Sequence, residues 1–213
     1  RRQRQMCIRD SLYMRASLHS PNDAYVFANG TSTQLTNFFR SEPPLRDVDL
    51  GPEPEQFTYT GSDNVTMHGW IFRPPSYEED VSLGHKLPLA VLLHGGPEGD
   101  WANDWSVRWN PAVFAAAGFM VVTLDPSGST GFGQAMVDRV LEHWGDRPFE
   151  DIIRGVHHVL DNEAHVDRER VVAAGASFGG YLINWIQGHN DDGLFKALVT
   201  HDGVFDAEHT WFA

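Results

Sequence analysis

The residue with the clearest chemical potential is Ser177, set in Gly175-Ala176-Ser177-Phe178-Gly179. A serine hydroxyl is a weak nucleophile until a base activates it, and its reaction speeds up when main-chain N–H groups hold the oxyanion that forms. The pattern G-x-S-x-G meets part of that need. Its glycines let neighbouring backbone approach closely, so a sharp strand-to-helix turn can lift the serine Oγ above the sheet edge. An apolar run at 171–174 leads into it, and a helical stretch at 179–188 follows. The start of that helix favours developing negative charge. This context, more than the five-residue match, marks Ser177 as a nucleophile.

A second glycine-rich turn, His94-Gly95-Gly96-Pro97, follows the buried run at 87–93. Main chain without Cβ atoms can reach an oxyanion there. The Gly96 and Phe178 N–H groups are therefore the expected donor pair. His94 is expected to bond the loop backbone and not to act as a base. The loop at 100–110 carries Trp101, Trp105, Arg108 and Trp109. These residues suit substrate binding, but packing the loop down is the stronger expectation for each tryptophan. The turn-rich run from Asp125 to Gly131 lacks the Gly-Lys-Ser/Thr ending of a phosphate loop and reads as a structural border. His157, His158 and His165 do not share a helix face, and no carboxylate or cysteine completes a set. No metal or cofactor is expected.

These residues need a scaffold, and the periodicity supplies one. Strands are predicted at 87–93, 119–124, 171–174 and 197–200. Helices are predicted at 111–117, 132–144, 149–162 and 179–188. Apolar strands alternating with helices imply a parallel sheet covered on both faces. With the serine elbow, this is the α/β-hydrolase fold, a mostly parallel doubly wound sheet. Upstream, a hairpin is predicted at 24–35 around Asn29-Gly30, a linker at 37–55, a second hairpin at 56–72 and a charged loop at 76–86. Residues 1–15 show no periodicity and are expected to lie outside the fold. Residues 16–55 read as hairpin plus linker, and 56–213 as the catalytic domain.

Composition bounds the partners. The chain has 213 residues and a formal net charge of −13, which argues against binding nucleic acid or an anionic membrane. No stretch approaches the roughly 18–20 apolar residues of a membrane helix. Cys7 is the single cysteine, so no internal disulfide forms. No signal peptide is visible. Asn29-Gly30-Thr31 and Asn64-Val65-Thr66 are N-glycosylation triplets that matter if the protein is exported. Oligomeric state stays open.

Four blocks stand in a telling order: His94-Gly95-Gly96-Pro97, Trp105-Ser106-Val107-Arg108-Trp109-Asn110, Gly128-Ser129-Thr130-Gly131-Phe132-Gly133-Gln134 and Gly175-Ala176-Ser177-Phe178-Gly179-Gly180-Tyr181. Together they resemble the catalytic domain of prolyl-oligopeptidase-family serine peptidases, nearest to the secreted fungal dipeptidyl-peptidase V type. Asn184-Trp185-Ile186-Gln187-Gly188-His189 and His201-Asp202-Gly203-Val204-Phe205 add to the likeness. The resemblance implies a preceding β-propeller, of which the 24–35 hairpin is a remnant. It implies cleavage of short peptides through an acyl-enzyme on Ser177, without a cofactor, and an extracellular location. It also implies a substrate side-chain pocket near Tyr181, Val204, Phe205 and Trp211. Two residues depart from the family pattern: Phe178 stands where tyrosine is usual, and Asp125 where asparagine usually precedes the glycine-rich loop.

In this fold the acid and the base follow the serine along the chain. After Ser177 come His189, His201 and His209, with Asp191, Asp192, Asp202 and Asp206. Each lies too early in the topology or at the wrong helix end, with His209 the least misplaced. The sheet is thus expected to be truncated on its C-terminal side, with acid and base beyond Ala213 and the chain alone poorly active. Two alternatives stay open: a carboxylesterase of the same fold, and a non-catalytic hydrolase-fold binding protein.

Overall fold

The computed structural model describes residues 10–41 and 45–206. It divides into two compact units, Arg1–Asp49 with Asn103–Asn110, and Leu50–Ala102 with Pro111–Ala213.

The first unit is an antiparallel meander of β1 (Asp10–Ser17), β2 (Ser20–Ala28) and β3 (Thr31–Gln34), followed by a single turn, α1 (Phe38–Ser41). Asn29 and Gly30 both take positive φ, 53° and 80°, the requirement of a two-residue hairpin turn. Buried Asp23 accepts from Thr36 Oγ1 at 2.7 Å and Phe38 N at 3.0 Å, fixing the chain as it leaves β3. The expectation that residues 1–15 lie outside the fold fails from Asp10 onward, since β1 pairs with β2 from Asp10↔Ala28 to Ser17↔Ser20. The strand is mostly exposed, with Leu12 and Met14 in solvent and only Tyr13, Ala16 and Ser17 partly buried, so the short apolar alternation of Leu12, Met14 and Ala16 faces no core. Residues 1–9 lie outside the described residues.

The second unit is a six-stranded sheet in the order β4-β5-β7-β6-β8-β9. Its strands are β4 (Glu55–Thr60), β5 (Thr66–Phe72), β6 (Leu87–Leu93), β7 (Met120–Asp125), β8 (Val166–Ala176) and β9 (Phe195–His201). The β4–β5 and β5–β7 pairs are antiparallel and the remainder parallel. The helices are α2 (Tyr77–Ser82), α3 (Pro111–Ala116), α4 (Gln134–Asp138), α5 (Arg147–Asn162) and α6 (Phe178–Gln187). Successive strand side chains point to opposite faces. Leu89, Val91, Met120 and Val122 accordingly join Ile152, Val156, Leu182 and Ile186 in one buried cluster under α5 and α6. Ala90, Leu92 and Val121 are buried too, but outside that cluster, as are Ala112 and Ala115 of α3.

Two local readings differ from the structure. The charged loop at 76–86 contains α2, whose acidic first turn (Glu78, Glu79, Asp80) suits a helix N-terminus. The helix expected over 132–144 shrinks to α4. Gly133 (φ 93°) precedes it, and Glu142 (φ 63°) breaks the chain beyond it. Buried Asp151 on α5 then stitches the interior. It accepts from Ser62 N at 2.6 Å, Ser127 N at 2.8 Å and Ser127 Oγ at 2.6 Å, binding the β4–β5 turn and the loop after β7 to one helix.

Candidate active site

Ser177 occupies the one residue between β8 and α6, with φ 56° and ψ −119°. A non-glycine residue holds such a conformation only where its surroundings over-determine it. Here they do. Ser177 N donates to His201 O at 3.1 Å, and Ser177 O accepts from Tyr181 N at 3.0 Å and Val204 N at 3.2 Å. The side chain makes no capping bond to α6, and the residue is exposed. The hydroxyl is thereby left available.

Close backbone contact explains the two motif glycines. A Cβ on Gly175 would lie 2.5 Å from Gly179 O, and one on Gly179 would lie 2.8 Å from His94 O and strike Leu93 O. The elbow therefore packs straight onto the end of β6, where the second glycine-rich turn begins. A Cβ on Gly95 would lie 3.3 Å from Ser177 Cβ and 3.8 Å from its Oγ. Gly96 follows at φ 141°, in a turn so tight that a Cβ there would stand 2.5 Å from Glu98 N. The turn closes with Gly99 N donating to Pro97 O at 3.0 Å.

A neighbouring loop clasps this turn. Thr130 N donates to Gly99 O at 2.9 Å, Thr130 Oγ1 to Asp100 Oδ2 at 3.1 Å, and Trp101 N to Asp125 Oδ1 at 2.8 Å. His94 completes the clasp, with Nδ1 2.7 Å from Gly95 O and Nε2 2.9 Å from Ser129 Oγ. A carbonyl can only accept, so Nδ1 carries the proton. The Ser129 hydroxyl at Nε2 donates its one proton to Pro126 O at 2.6 Å, which ties His94 to the loop after β7. Asp125 Oδ1 is 3.8 Å from His94 Nε2, close enough for an ion pair. Burial opposes that state on both partners. It pushes the His94 pKa down and raises Asp125 to about 7, with Asp100 adding to the rise and the Trp101 N–H bond opposing it. Asp125 is therefore neutral below about pH 7, and burial favours the neutral form of His94.

The other predicted residues fall as follows. Phe178 is buried at the start of α6, and Tyr181 is half-buried one turn on. Their rings are 5.6 Å apart, and both meet Trp144, at 5.1 Å and 5.5 Å. Val204 reaches Ser177 through its main chain. Phe205 is 93% exposed. Trp211 and His209 lie outside the described residues. The cavity that adjoins Gly96, about 340 Å³, is lined by Gly96, Pro97, Glu98, Val140, Leu141 and Trp144, and by none of Tyr181, Val204 and Phe205. Trp105 belongs to the other unit, where its ring lies 5.7 Å from Phe39. Asn103 Oδ1 of that loop accepts from Leu18 N at 2.9 Å. Among the described residues no group of three or more His, Cys, Asp or Glu can hold a metal, and no helix is long and apolar enough to cross a membrane.

Comparison with known proteins agrees with this geometry. The model of the prolyl oligopeptidase family matches residues 105–213, which include the whole serine elbow. The chain belongs to the prolyl oligopeptidase family. Dipeptidyl-peptidase 5 of Schizosaccharomyces pombe is 46% identical over 175 residues, covering 81% of this chain and 25% of that protein. Dipeptidyl-peptidase 5 of Arthroderma otae is 40% identical over 196 residues, covering 92% and 25%. The Pyrococcus horikoshii acylaminoacyl peptidase superposes with a TM-score of 0.79 at 30% identity, over 91% of this chain and 29% of that one. A puromycin-hydrolyzing peptidase of Mycobacterium tuberculosis shares the fold, with a TM-score of 0.74 at 22% identity over 94% of this chain and 30% of that one. The chain thus spans about a quarter of the length of the curated family members it matches. The fold is the α/β-hydrolase fold of this family.

The histidines after the elbow are placed by the same structure. His189 stands at the far end of α6, with Nδ1 2.8 Å from Trp185 O and its ring on Trp185 at 4.5 Å. His201 meets the elbow through its carbonyl, and its imidazole pairs with Asp202 at 2.7 Å. The backbone N–H of Phe178 does not depend on its side chain, and Asp125 places an ionisable group in the buried clasp.

Proposed function

We propose that this chain carries the nucleophile and oxyanion hole of a serine-type peptidase that hydrolyses short peptides. The observation that carries the reading is Ser177 itself: a non-glycine residue locked at φ 56° between strand and helix, with Gly95 packed against its side chain. In the reaction Ser177 Oγ attacks the scissile carbonyl carbon while a base takes its proton. The carbonyl oxygen becomes an oxyanion held by the Gly96 and Phe178 N–H groups. Collapse breaks the C–N bond, the amine leaves with the proton, and water then cleaves the acyl-serine ester. The base and its acid partner are taken from outside the described residues, because His94 is bonded at both ring nitrogens and His189 is remote. The names of the relatives, dipeptidyl-peptidase and acylaminoacyl peptidase, support exopeptidase action on short substrates.

Three further elements belong to this proposal. The antiparallel meander at 10–34 is part of a preceding propeller. Tyr181, Val204, Phe205 and Trp211 contribute to a substrate pocket. The protein is exported, with Asn29 and Asn64, both exposed at positive-φ turns, as its glycan positions.

The decisive experiment is a fluorophosphonate probe on the full-length protein and on its Ser177→Ala variant. Labelling confined to Ser177 and lost with peptidase activity in the variant supports the reading. Peptidase activity that survives in Ser177→Ala sinks it. A parallel panel of dipeptidyl and acyl-aminoacyl amides against simple esters separates peptidase from esterase.

A further inference from the structure

The cavity beside Gly96 belongs to none of the residues assigned above to substrate binding, although it shares a residue with the candidate oxyanion hole. Its position is set from two sides. Gly96 forms one wall. Trp144 forms another, with its ring edge-on to the Phe178 ring at 5.1 Å, so the cavity touches one candidate oxyanion donor, Gly96, directly and the side chain of the other through Trp144.

The chemistry of the walls is specific. Val140, Leu141 and Trp144 are apolar; Leu141 is 59% exposed, whereas Val140 is buried behind it. The one ionisable residue of the lining is Glu98. Its main chain is fixed by the tight turn over Gly96, which Thr130 pins at Gly99. The arginines nearest this wall in sequence are directed elsewhere. Arg139 is spent on Ser62, Asp63 and Ser127, and Arg147 on Asp63 and the Arg139 carbonyl. Among the described residues no cation pairs with Glu98.

An open cavity with Leu141 and Trp144 on its wall and one carboxylate in its lining fits an amphipathic cation. We propose that this cavity is a subsite for a lysine or arginine side chain of the peptide substrate, at a position flanking the scissile bond. Its aliphatic stem lies along Leu141, its charged head meets Glu98, and Trp144 offers its ring to the cation. The inference rests on the reading of Ser177 and Gly96 as the reaction centre.

The test uses the full-length protein and pairs of internally quenched peptides. Each pair is identical except for lysine against norleucine at one position flanking the scissile bond. The quantity read is the lysine-to-norleucine ratio of kcat/KM, so a general loss of activity in a variant cancels. We expect the ratio at one flanking position to be about fivefold or more, as for a partly screened charge contact. Glu98→Gln lowers that ratio at least threefold, and Glu98→Lys turns the preference toward a glutamate side chain. A wild-type ratio below twofold at every flanking position, or a ratio that Glu98→Gln shifts by less than threefold, overturns the subsite. Failure of the underlying reading looks different, because Ser177→Ala then still hydrolyses both members of a pair.

Discussion

Asp125→Asn probes the buried clasp behind the candidate oxyanion loop, and the structure sets both sign and size. The Asp125 side chain is 3% exposed, accepts one N–H from Trp101 at 2.8 Å, and faces His94 Nε2 at 3.8 Å. The groups around it are His94, Asp100, Tyr59 on β4 and His68, its register partner on β5. Burial raises its pKa from the ordinary 3.8 to about 7. The folded protein therefore holds this proton more tightly than the unfolded chain. The resulting stabilisation is fully present below about pH 4 and is lost as the pH rises through about 7. At about 1.36 kcal/mol per tenfold, it amounts to about 4 kcal/mol. An asparagine amide has the shape of the neutral acid and cannot ionise. Relative to wild type, Asp125→Asn thus gains about 4 kcal/mol of stability between pH 4 and pH 8. Urea unfolding of both proteins at matched pH, followed by tryptophan fluorescence, measures the difference. A difference that stays flat within about 1 kcal/mol across that range refutes the buried neutral acid. A difference of opposite sign means that Asp125 and His94 form a true ion pair, contrary to the burial argument.

Three other substitutions test the site's construction. Ser177→Gly abolishes probe labelling but raises the unfolding midpoint, since glycine relieves a φ of 56° worth about 1 kcal/mol or more. Gly179→Ala drives a methyl into the Leu93 and His94 carbonyls and lowers stability by about 3 kcal/mol or more, read as loss of soluble protein or a lowered Tm. Asp151→Ala leaves the Ser62 and Ser127 N–H groups without their buried acceptor, and costs about 3 kcal/mol in urea unfolding.

The site's backbone was legible in the sequence because close approach leaves a compositional mark. Gly175, Gly179, Gly95 and Gly96 are glycines for steric reasons, and together they outline where β6, β8 and α6 meet. The parallel strands were legible for a similar reason. Burial on both faces makes a continuous apolar run such as Leu87–Leu93, and its limits coincide with β6. The antiparallel first strand left no such mark. Asp10–Ser17 pairs along its length but has no fully buried residue, so the short alternation of Leu12, Met14 and Ala16 gives little sign of the pairing.

The walls of the site were hidden for a different reason. The resemblance directed attention to residues after the elbow, Val204 and Phe205, and away from Glu98, Leu141 and Trp144. No local pattern joins these three, since Glu98 lies in one loop and Leu141 and Trp144 in another. They are brought together by the end of α4 at Asp138, the positive φ of Glu142 beyond it and the packing of Trp144 on Phe178. The proposed nucleophile and donors are positioned by backbone geometry, which a motif encodes. The side chains that choose a substrate are fixed by where loops end, which a motif does not encode. A change of preference is therefore expected from substitutions at Glu98, Leu141 and Trp144, and a fall in turnover with the preference kept from substitutions at Gly175 and Gly179. Measuring kcat/KM for the lysine and norleucine peptides across both sets separates the two classes. If the glycine substitutions alter the lysine-to-norleucine ratio as much as Glu98→Gln does, the division between backbone and walls is wrong.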